Sequence, residues 1–427
     1  VKKMEHGMGV MYKKSQFNYI VHFEKGCLIY NTLYNSLSRL STEEYKQMCS
    51  LSFHTEQLQN ALAKQGIIVK NDVDELKVYN IYSALAMKFQ NATPNITIAP
   101  TMECNARCFY CYEEGVRCGS MDITDADKII DLIRSIDTSR GITLTWFGGE
   151  PLMNQPWIDY FSGRLKAENI HFSAFMISNG SMIDDTVVEK MGQDWNVTSI
   201  QITFDGADDE YCRRKAYIDQ DENIYYQMFR KIAQIAKAGI SVQIRLNIDR
   251  NNVGSILELA KDIQMLFSGE SRVHFYPAFL TGNKNPLSEH EKIEIIKKIL
   301  KIDEAQKLQM ENLWFKIPKS YACYINQKNA YSVDANGDIF ICERLLGHSD
   351  CAVGNIDNVK EFPAVERTYS GQRSECQKCV FLPKCHGGCQ NALINGETPC
   401  FIDKYLIKAY MEILQEENKY ISTDEKK

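Results

Sequence analysis

Three cysteines fall within eight residues, Cys104, Cys108 and Cys111, in the stretch CNARCFYCYEEG. Thiolates are soft ligands that favour zinc and iron–sulfur clusters. A structural zinc site closes on four ligands, so three make an unfinished shell unless Cys118 completes it. On a four-iron four-sulfur cluster, three thiolates leave one iron open for an outside ligand.

A second constellation lies in the last quarter of the chain. Cys323 and Cys342 flank Gly337, and Cys376, Cys379, Cys385, Cys389 and Cys400 follow, opening on a Cys-x-x-Cys pair. Zinc ribbons use such pairs, which keeps one or two zinc sites open as a reading. Seven thiolates, however, do not divide into tetrads. Cys27, Cys49, Cys118, Cys212 and Cys351 are scattered and read as ordinary small core or surface residues.

The remaining composition narrows the setting. With 427 residues, 44% of them hydrophobic, the chain is long enough for two or three cores, and a net charge of -6 without long runs gives no nucleic-acid footprint. The first residues lack the apolar centre of a signal peptide, and no window approaches the roughly 18 apolar residues of a membrane span. The expectation is a soluble cytoplasmic protein without nucleic-acid or membrane partners. Disulfides are disfavoured there, which makes the dense cysteines ligands rather than crosslinks.

The elements that must carry these thiols fall into three regions. Over 1–88, FNYIVHF and CLIYN flank Glu24-Lys25-Gly26 as a hairpin. Helical patterns follow at 41–51, opened by a capping box at Ser41, and at 55–65, with Gly66 before the apolar IIV. This pattern predicts a small winged-helix-like module. From 89 to 286 strands alternate with helices: ITIA, ITLTWF, FSAFMIS, SIQITF, SVQIRLNI and VHFYPAF. Such alternation predicts an α/β fold with parallel βα units, and six strands predict a partial rather than eightfold barrel. A charged amphipathic helix fills much of the linker 287–318, and 319–427 is the cysteine-rich domain. Asp334-Ala-Asn-Gly337 reads as a hairpin turn with Gly337 left-handed.

The triad follows directly on strand ITIA, so it sits at the C-terminal edge of the sheet, where barrel folds place their chemistry. The spacing Cys104-x3-Cys108-x2-Cys111, with Tyr110 before the third cysteine, resembles the signature of the radical S-adenosylmethionine (SAM) enzymes. Gly148-Gly149-Glu150-Pro151 resembles that family's element for the methionine amino group. Ser178-Asn179-Gly180, Thr203-Phe204-Asp205-Gly206 and Arg245-Leu246-Asn247, at successive strand ends, resemble its ribose and methionine contacts. The resemblance implies that the open iron chelates SAM's amino and carboxylate groups and that cluster reduction yields a 5'-deoxyadenosyl radical.

The tail resembles the auxiliary-cluster domain called SPASM. That resemblance assigns Cys376, Cys379, Cys385 and Cys400 to an outer cluster and Cys323, Cys342 and Cys389 to an inner one, giving three four-iron four-sulfur clusters with that of the triad. Residues 324–341 contain no further cysteine, so the inner cluster either takes Cys351 or keeps an open or non-cysteine position. Glu343 occupies the place where sulfatase-maturing relatives carry an aspartate base; a solvated or salt-bridged glutamate is the other reading. The N-terminal module resembles the leader-peptide recognition element of ribosomal-peptide maturases such as thioether-forming ranthipeptide and sactipeptide synthases. Together these resemblances imply a maturase that crosslinks a precursor peptide, with a Cys thioether as its product and a low-potential flavodoxin or ferredoxin as reductant. The alternatives are a formylglycine-generating enzyme of the anaerobic sulfatase-maturase kind and, from another class, a zinc-holding regulatory or binding protein.

Overall fold

The computed structural model describes residues 11–90, 93–113, 115–116, 119–219, 223–280, 285–302, 323–365, 373–389, 391–392, 400 and 402–417. Its centre is a nine-stranded sheet in which six parallel strands stand in sequence order. These are β6 (Asn95–Ile98), β7 (Ile142–Trp146), β8 (Phe172–Ser178), β9 (Val197–Phe204), β10 (Ser241–Ile248) and β11 (Val273–Phe279). All six match the expected runs. Along β9, Ile200, Ile202 and Phe204 belong to the apolar core, while the alternate positions Gln201, Thr203 and Asp205 lie on the opposite face. Helices connect the strands, and Asp122 and Asp184 cap two of them through side-chain bonds to backbone N–H groups. The sheet curves as an open α/β barrel and does not close, in agreement with the six-stranded expectation.

The N-terminal region forms an antiparallel sheet of β2 (Asn18–Phe23), β3 (Gly26–Asn31) and β4 (Ser36–Ser41), with β3 central and buried throughout. Ser41 and Glu44 complete the expected capping box of helix Thr42–Ser50, and Thr55 caps helix Glu56–Lys64. The IIV run becomes β5 (Ile68–Lys70), which pairs not with the hairpin but with β1 (Tyr12–Lys14). Strand β4 and helix Glu75–Gln90 were not anticipated. In that helix Val78, Ile81, Tyr82 and Leu85 form an exposed apolar stripe while Tyr79 and Ser83 are buried, so apolar side chains lie on both sides and the polar–apolar contrast that marks a helix is weak.

The tail is not a separate lobe. Its first hairpin, β12 (Ala330–Val333) and β13 (Asp338–Phe340), joins the barrel sheet: β12 runs parallel to β6, with Val333 opposite Ile98. A short β14 (Gly354–Asn355) follows at the edge. Gly337 takes the left-handed conformation expected of the turn, at φ 76°. Helix Glu289–Ile302 realises part of the expected amphipathic helix; residues 303–322, the rest of the linker and the start of the tail, lie outside the described residues. The final helix, Asp403–Glu416, has two apolar faces. Leu406, Ala409 and Ile413 meet helix Glu289–Ile302, and Ile407, Tyr410, Met411 and Leu414 meet the N-terminal sheet. Among the described residues no helix is long and apolar enough to cross a membrane.

Candidate active site

Parallel strands bring all their C-terminal ends to one edge, and the cysteine triad is bound there by backbone. The loop after β6 is stapled to the end of β7: the Gly149 N–H donates to the Thr101 carbonyl (3.2 Å) and the Glu150 N–H to that of Glu103 (2.9 Å). A side chain on Gly148 would strike the Thr101 carbonyl, and one on Gly149 the carbonyls of Met102 and Glu103. The close approach that these glycines permit is thus made to the cysteine loop itself. On its other side, the Arg107 N–H donates to the carbonyl of Lys215 (3.0 Å).

Glu150 is fully buried and precedes Pro151, which opens a short 3-10 turn. Its carboxylate accepts from Ser178 Oγ (2.8 Å), from the Asn179 N–H (2.7 Å) and from the Leu152 N–H (3.2 Å). Burial nevertheless pushes its pKa up to about 7, against those bonds. The carboxylate thereby fixes the end of β8, and Asn179 in turn reaches the cysteine loop, donating from Nδ2 to Asn105 Oδ1 (2.8 Å).

Three of the remaining predicted residues converge on one that the sequence reading missed. Lys215 is 2% exposed, and its ammonium meets Asp205 Oδ2 at 3.0 Å, Tyr110 Oη at 3.4 Å and Thr203 Oγ1. Asn247 closes the ring by donating to Asp205 Oδ1 and to Tyr110 Oη, both at 3.1 Å, and Arg245 Nε donates to Asn247 Oδ1 (3.0 Å). Burial alone would lower the Lys215 pKa; Asp205, Tyr110 and the Cys108 thiol outweigh it and raise the pKa well above the ordinary value. Its neighbour Arg214 pairs with Asp249 at 2.6 Å, both buried, and lies over the Phe109 ring of the cysteine loop at 4.7 Å. In sequence, Arg213-Arg214-Lys215 looks like a solvated run. Only the shortness of helix Asp208–Lys215, ended by Ala216 in the left-handed conformation, turns two of its three cations inward.

Several of the thiols act on one another electrostatically. Burial and Glu113 are the chief causes that raise Cys111 to about 11, with Cys108 and Cys104 adding to them. In the tail, Cys323 rises to about 12 through burial, then through Glu343, Cys342 and Cys389. Cys376 is raised by burial, and Cys379 and Cys400 also act on it; Cys385 shares Tyr405 as a neighbour with Cys400. Cys351 is exposed in a 3-10 turn, its pKa raised by burial and Asp350. Cys118 lies outside the described residues.

Among the described residues, no three His, Cys, Asp or Glu side chains converge closely enough to hold a single metal ion. Soft thiolate donors in a set of three suit an iron–sulfur cluster that takes each on a different iron and leaves one position open. Glu343 is only half-buried by surface area, yet its carboxylate lies deep enough that desolvation raises its pKa to about 7, against Arg344 and Arg245. The tail also touches the cysteine loop: Arg344 lies over the Tyr112 ring at 5.4 Å, and Met102, Phe147, Phe340 and Leu346 share one apolar cluster.

Residues 98–263 match the Radical SAM superfamily model, spanning β6 to the helix after β10. An uncharacterized protein of Methanocaldococcus jannaschii is 24% identical over 62% of this chain and 89% of its own length. A probable GTP 3',8-cyclase of Archaeoglobus fulgidus is 27% identical over 30% of this chain; the match spans only 40% of that cyclase. In fold, the chain is similar to anSMEcpe with bound AdoMet (TM-score 0.56, 14% identity, 75% of this chain and 96% of that one). It is also similar to Streptococcus suis SuiB bound to precursor peptide SuiA (TM-score 0.51, 14% identity, 92% of this chain and 98% of that one). Residues 98–263 thus carry a radical SAM domain, set in an open α/β barrel.

Proposed function

We propose that this protein is a cytoplasmic peptide maturase that installs an intramolecular crosslink, a Cys thioether, in a ribosomally made precursor peptide. The observation that carries the reading is the likeness in fold to SuiB with its precursor peptide, which extends over 92% of this chain and so takes in the N-terminal sheet and the tail as well as the barrel. The likeness to anSMEcpe extends over 75% of this chain.

In this reading Cys104, Cys108 and Cys111 hold the SAM cluster. Lys215 offers its ammonium to the methionine carboxylate of SAM, with Asp205 and Asn247 facing the cofactor's donor groups. With SAM and a reducible cluster bound, the site supplies a 5'-deoxyadenosyl radical able to take hydrogen from an unactivated carbon. Cys323, Cys342 and Cys389 hold an inner auxiliary cluster with a position left for a group other than Cys351. Cys376, Cys379, Cys385 and Cys400 hold the outer one. Glu343, beside Cys342 and under Arg245, is the candidate base for the substrate. A low-potential flavodoxin or ferredoxin provides electrons.

Residues 1–88 bind the leader peptide as an added strand. The sheet has two edges, β2 and β4. On β2 the His22 carbonyl already accepts from Gln415 Nε2 of the last helix (2.6 Å), which leaves β4 as the edge for the leader. Co-expression with a candidate Cys-containing precursor and mass measurement of the peptide tests the function. A product lighter by two hydrogens, with its Cys no longer alkylated, is expected; an unchanged peptide beside active SAM cleavage would refute the reading.

A further inference from the structure

The N-terminal sheet lies against the cysteine-rich tail more intimately than a recognition module requires. Between Cys379 and Cys385, Phe381 and Leu382 are buried. Phe381 packs with Leu28 and Tyr30 of β3 and meets the Tyr19 ring of β2 at a tilt, ring centroids 5.0 Å apart. Leu382 packs with Phe17 and Tyr79, and Cys376 lies against the same cluster. Polar contacts follow the same seam. Tyr79 Oη and His386 Nδ1 are 2.9 Å apart, Lys384 Nζ donates to Asn35 Oδ1 (2.6 Å), and Thr32 Oγ1 donates to the Val380 carbonyl. Lys384 and His386 are buried there, on either side of Cys385.

The segment has little structure of its own to hold its thiols. Its two helices, Ser374–Gln377 and Leu382–Cys385, are four residues each, far below the length at which a helix is stable alone. His386 ends the second of them in the left-handed conformation at φ 52°, its N–H donating to the Leu382 carbonyl (2.8 Å). We infer that the N-terminal module is the scaffold of the outer iron–sulfur site, with Tyr79 and Asn35 as positioning residues that hold the Cys376–Cys385 segment through His386 and Lys384. The inference rests on the reading of those cysteines as cluster ligands and goes beyond it: one module would serve both the leader peptide and the cluster.

Full-length variants test it in two arms. In metal-free protein, the rate at which iodoacetamide alkylates Cys376, Cys379 and Cys385 is followed by peptide mass spectrometry, with Cys323 and Cys342 as internal reference. Loss of a buried hydrogen bond and its packing in Tyr79→Ala should speed alkylation of the outer thiols roughly tenfold and leave the inner ones unchanged. Tyr79→Phe, which keeps the packing, should fall between. Asn35→Gly keeps the left-handed backbone at φ 56° while removing the Lys384 acceptor, and serves if Tyr79→Ala does not fold. In the second arm, anaerobically reconstituted Tyr79→Ala should carry about four iron atoms per chain fewer than the wild type, with 5'-deoxyadenosine formation retained. Full iron and wild-type alkylation rates in both Tyr79→Ala and Asn35→Gly would overturn the inference alone. A wild-type chain whose outer thiols take up no iron would overturn the cluster reading and the inference with it.

Discussion

Two regions of this molecule hold thiols, and they hold them by different means. At the barrel edge, the Cys104–Cys111 loop is fixed by neighbours that are themselves strand ends: Gly149 and Glu150 after β7, Asn179 after β8, and the Lys215 carbonyl beyond β9. In the tail, Cys376 and Cys385 ride on single helical turns whose geometry comes from docking against β3, helix Glu75–Gln90 and helix Asp403–Glu416. The first arrangement is local and backbone-made. The second is assembled from segments more than 300 positions apart, as in the pairing of Asn35 with Lys384. A radical generated at the edge must be aimed, which calls for a rigid cradle. An auxiliary redox centre needs only to be held nearby and shielded.

The sharpest way to break the comparison is to remove the edge thiols. Replacing Cys104, Cys108 and Cys111 together by Ala should abolish 5'-deoxyadenosine formation while the chain keeps the iron of its tail, about four atoms fewer in all. Anaerobic iron counting and product chromatography check both halves. If SAM cleavage survives in the triple variant, the cleft after β6 is not where the radical forms.

The converse is a lesion in the tail. Cys385→Ser should eliminate crosslinking of a precursor peptide yet leave slow SAM cleavage in place, because the adenosyl chemistry belongs to another part of the sheet. Peptide mass and 5'-deoxyadenosine are measured in one reaction. Parallel loss of both, with loss of soluble yield, would show that the tail is only structural support.

A smaller effect probes the cradle itself. Lys215→Met leaves Asp205 as an uncompensated buried charge, which should cost about 3–5 kcal/mol in denaturant unfolding and weaken SAM binding about a hundredfold. Adding Asp205→Asn should recover most of the stability without recovering SAM affinity. Recovery of both by the double variant would make the pair structural and nothing more.

How much of this was legible beforehand follows the same division. The six strands announced themselves because each is a short apolar run closed by a turn; Glu150, Asn179, Asp205 and Asn247 stand at or just past the ends of those runs, and it was the family resemblance that marked them, as it marked Tyr110 beside Cys111. Lys215 was hidden, since nothing in a run of three cations says which of them a short helix will bury. The tail cysteines could be grouped by spacing, but the parallel pairing of β12 with β6 was not readable, because four residues of AYSV carry no record of a partner some 230 positions earlier. The same holds for the seam at Phe381. Its aromatic character marks a buried residue, and only the fold says against what.

The smallest predicted effect concerns a proton at the edge. Glu150 ionises near pH 7 in the folded chain, mainly because burial disfavours its charge, against an ordinary value of 4.5. Below about pH 4.5 both folded and unfolded forms are protonated and the group has no influence. As pH rises from there towards 7, the unfolded chain loses its proton while the folded chain retains it, so stability falls, by about 3 kcal/mol in total, and levels off above 7. Glu343, also near 7, acts with the same sign, so the test is a difference between two proteins. Thermal unfolding of the anaerobic wild type and of Glu150→Gln, followed from pH 5 to 8, should show the wild type losing stability faster. The amide gives up an acceptor for Ser178 or Asn179, which lowers the variant by an offset, but an offset has no slope and leaves the pH signature of the carboxyl intact. Parallel curves would mean that the three hydrogen bonds to Glu150 outweigh its burial and that the carboxylate stands ionised throughout, an anion already in place at the edge before any ligand arrives.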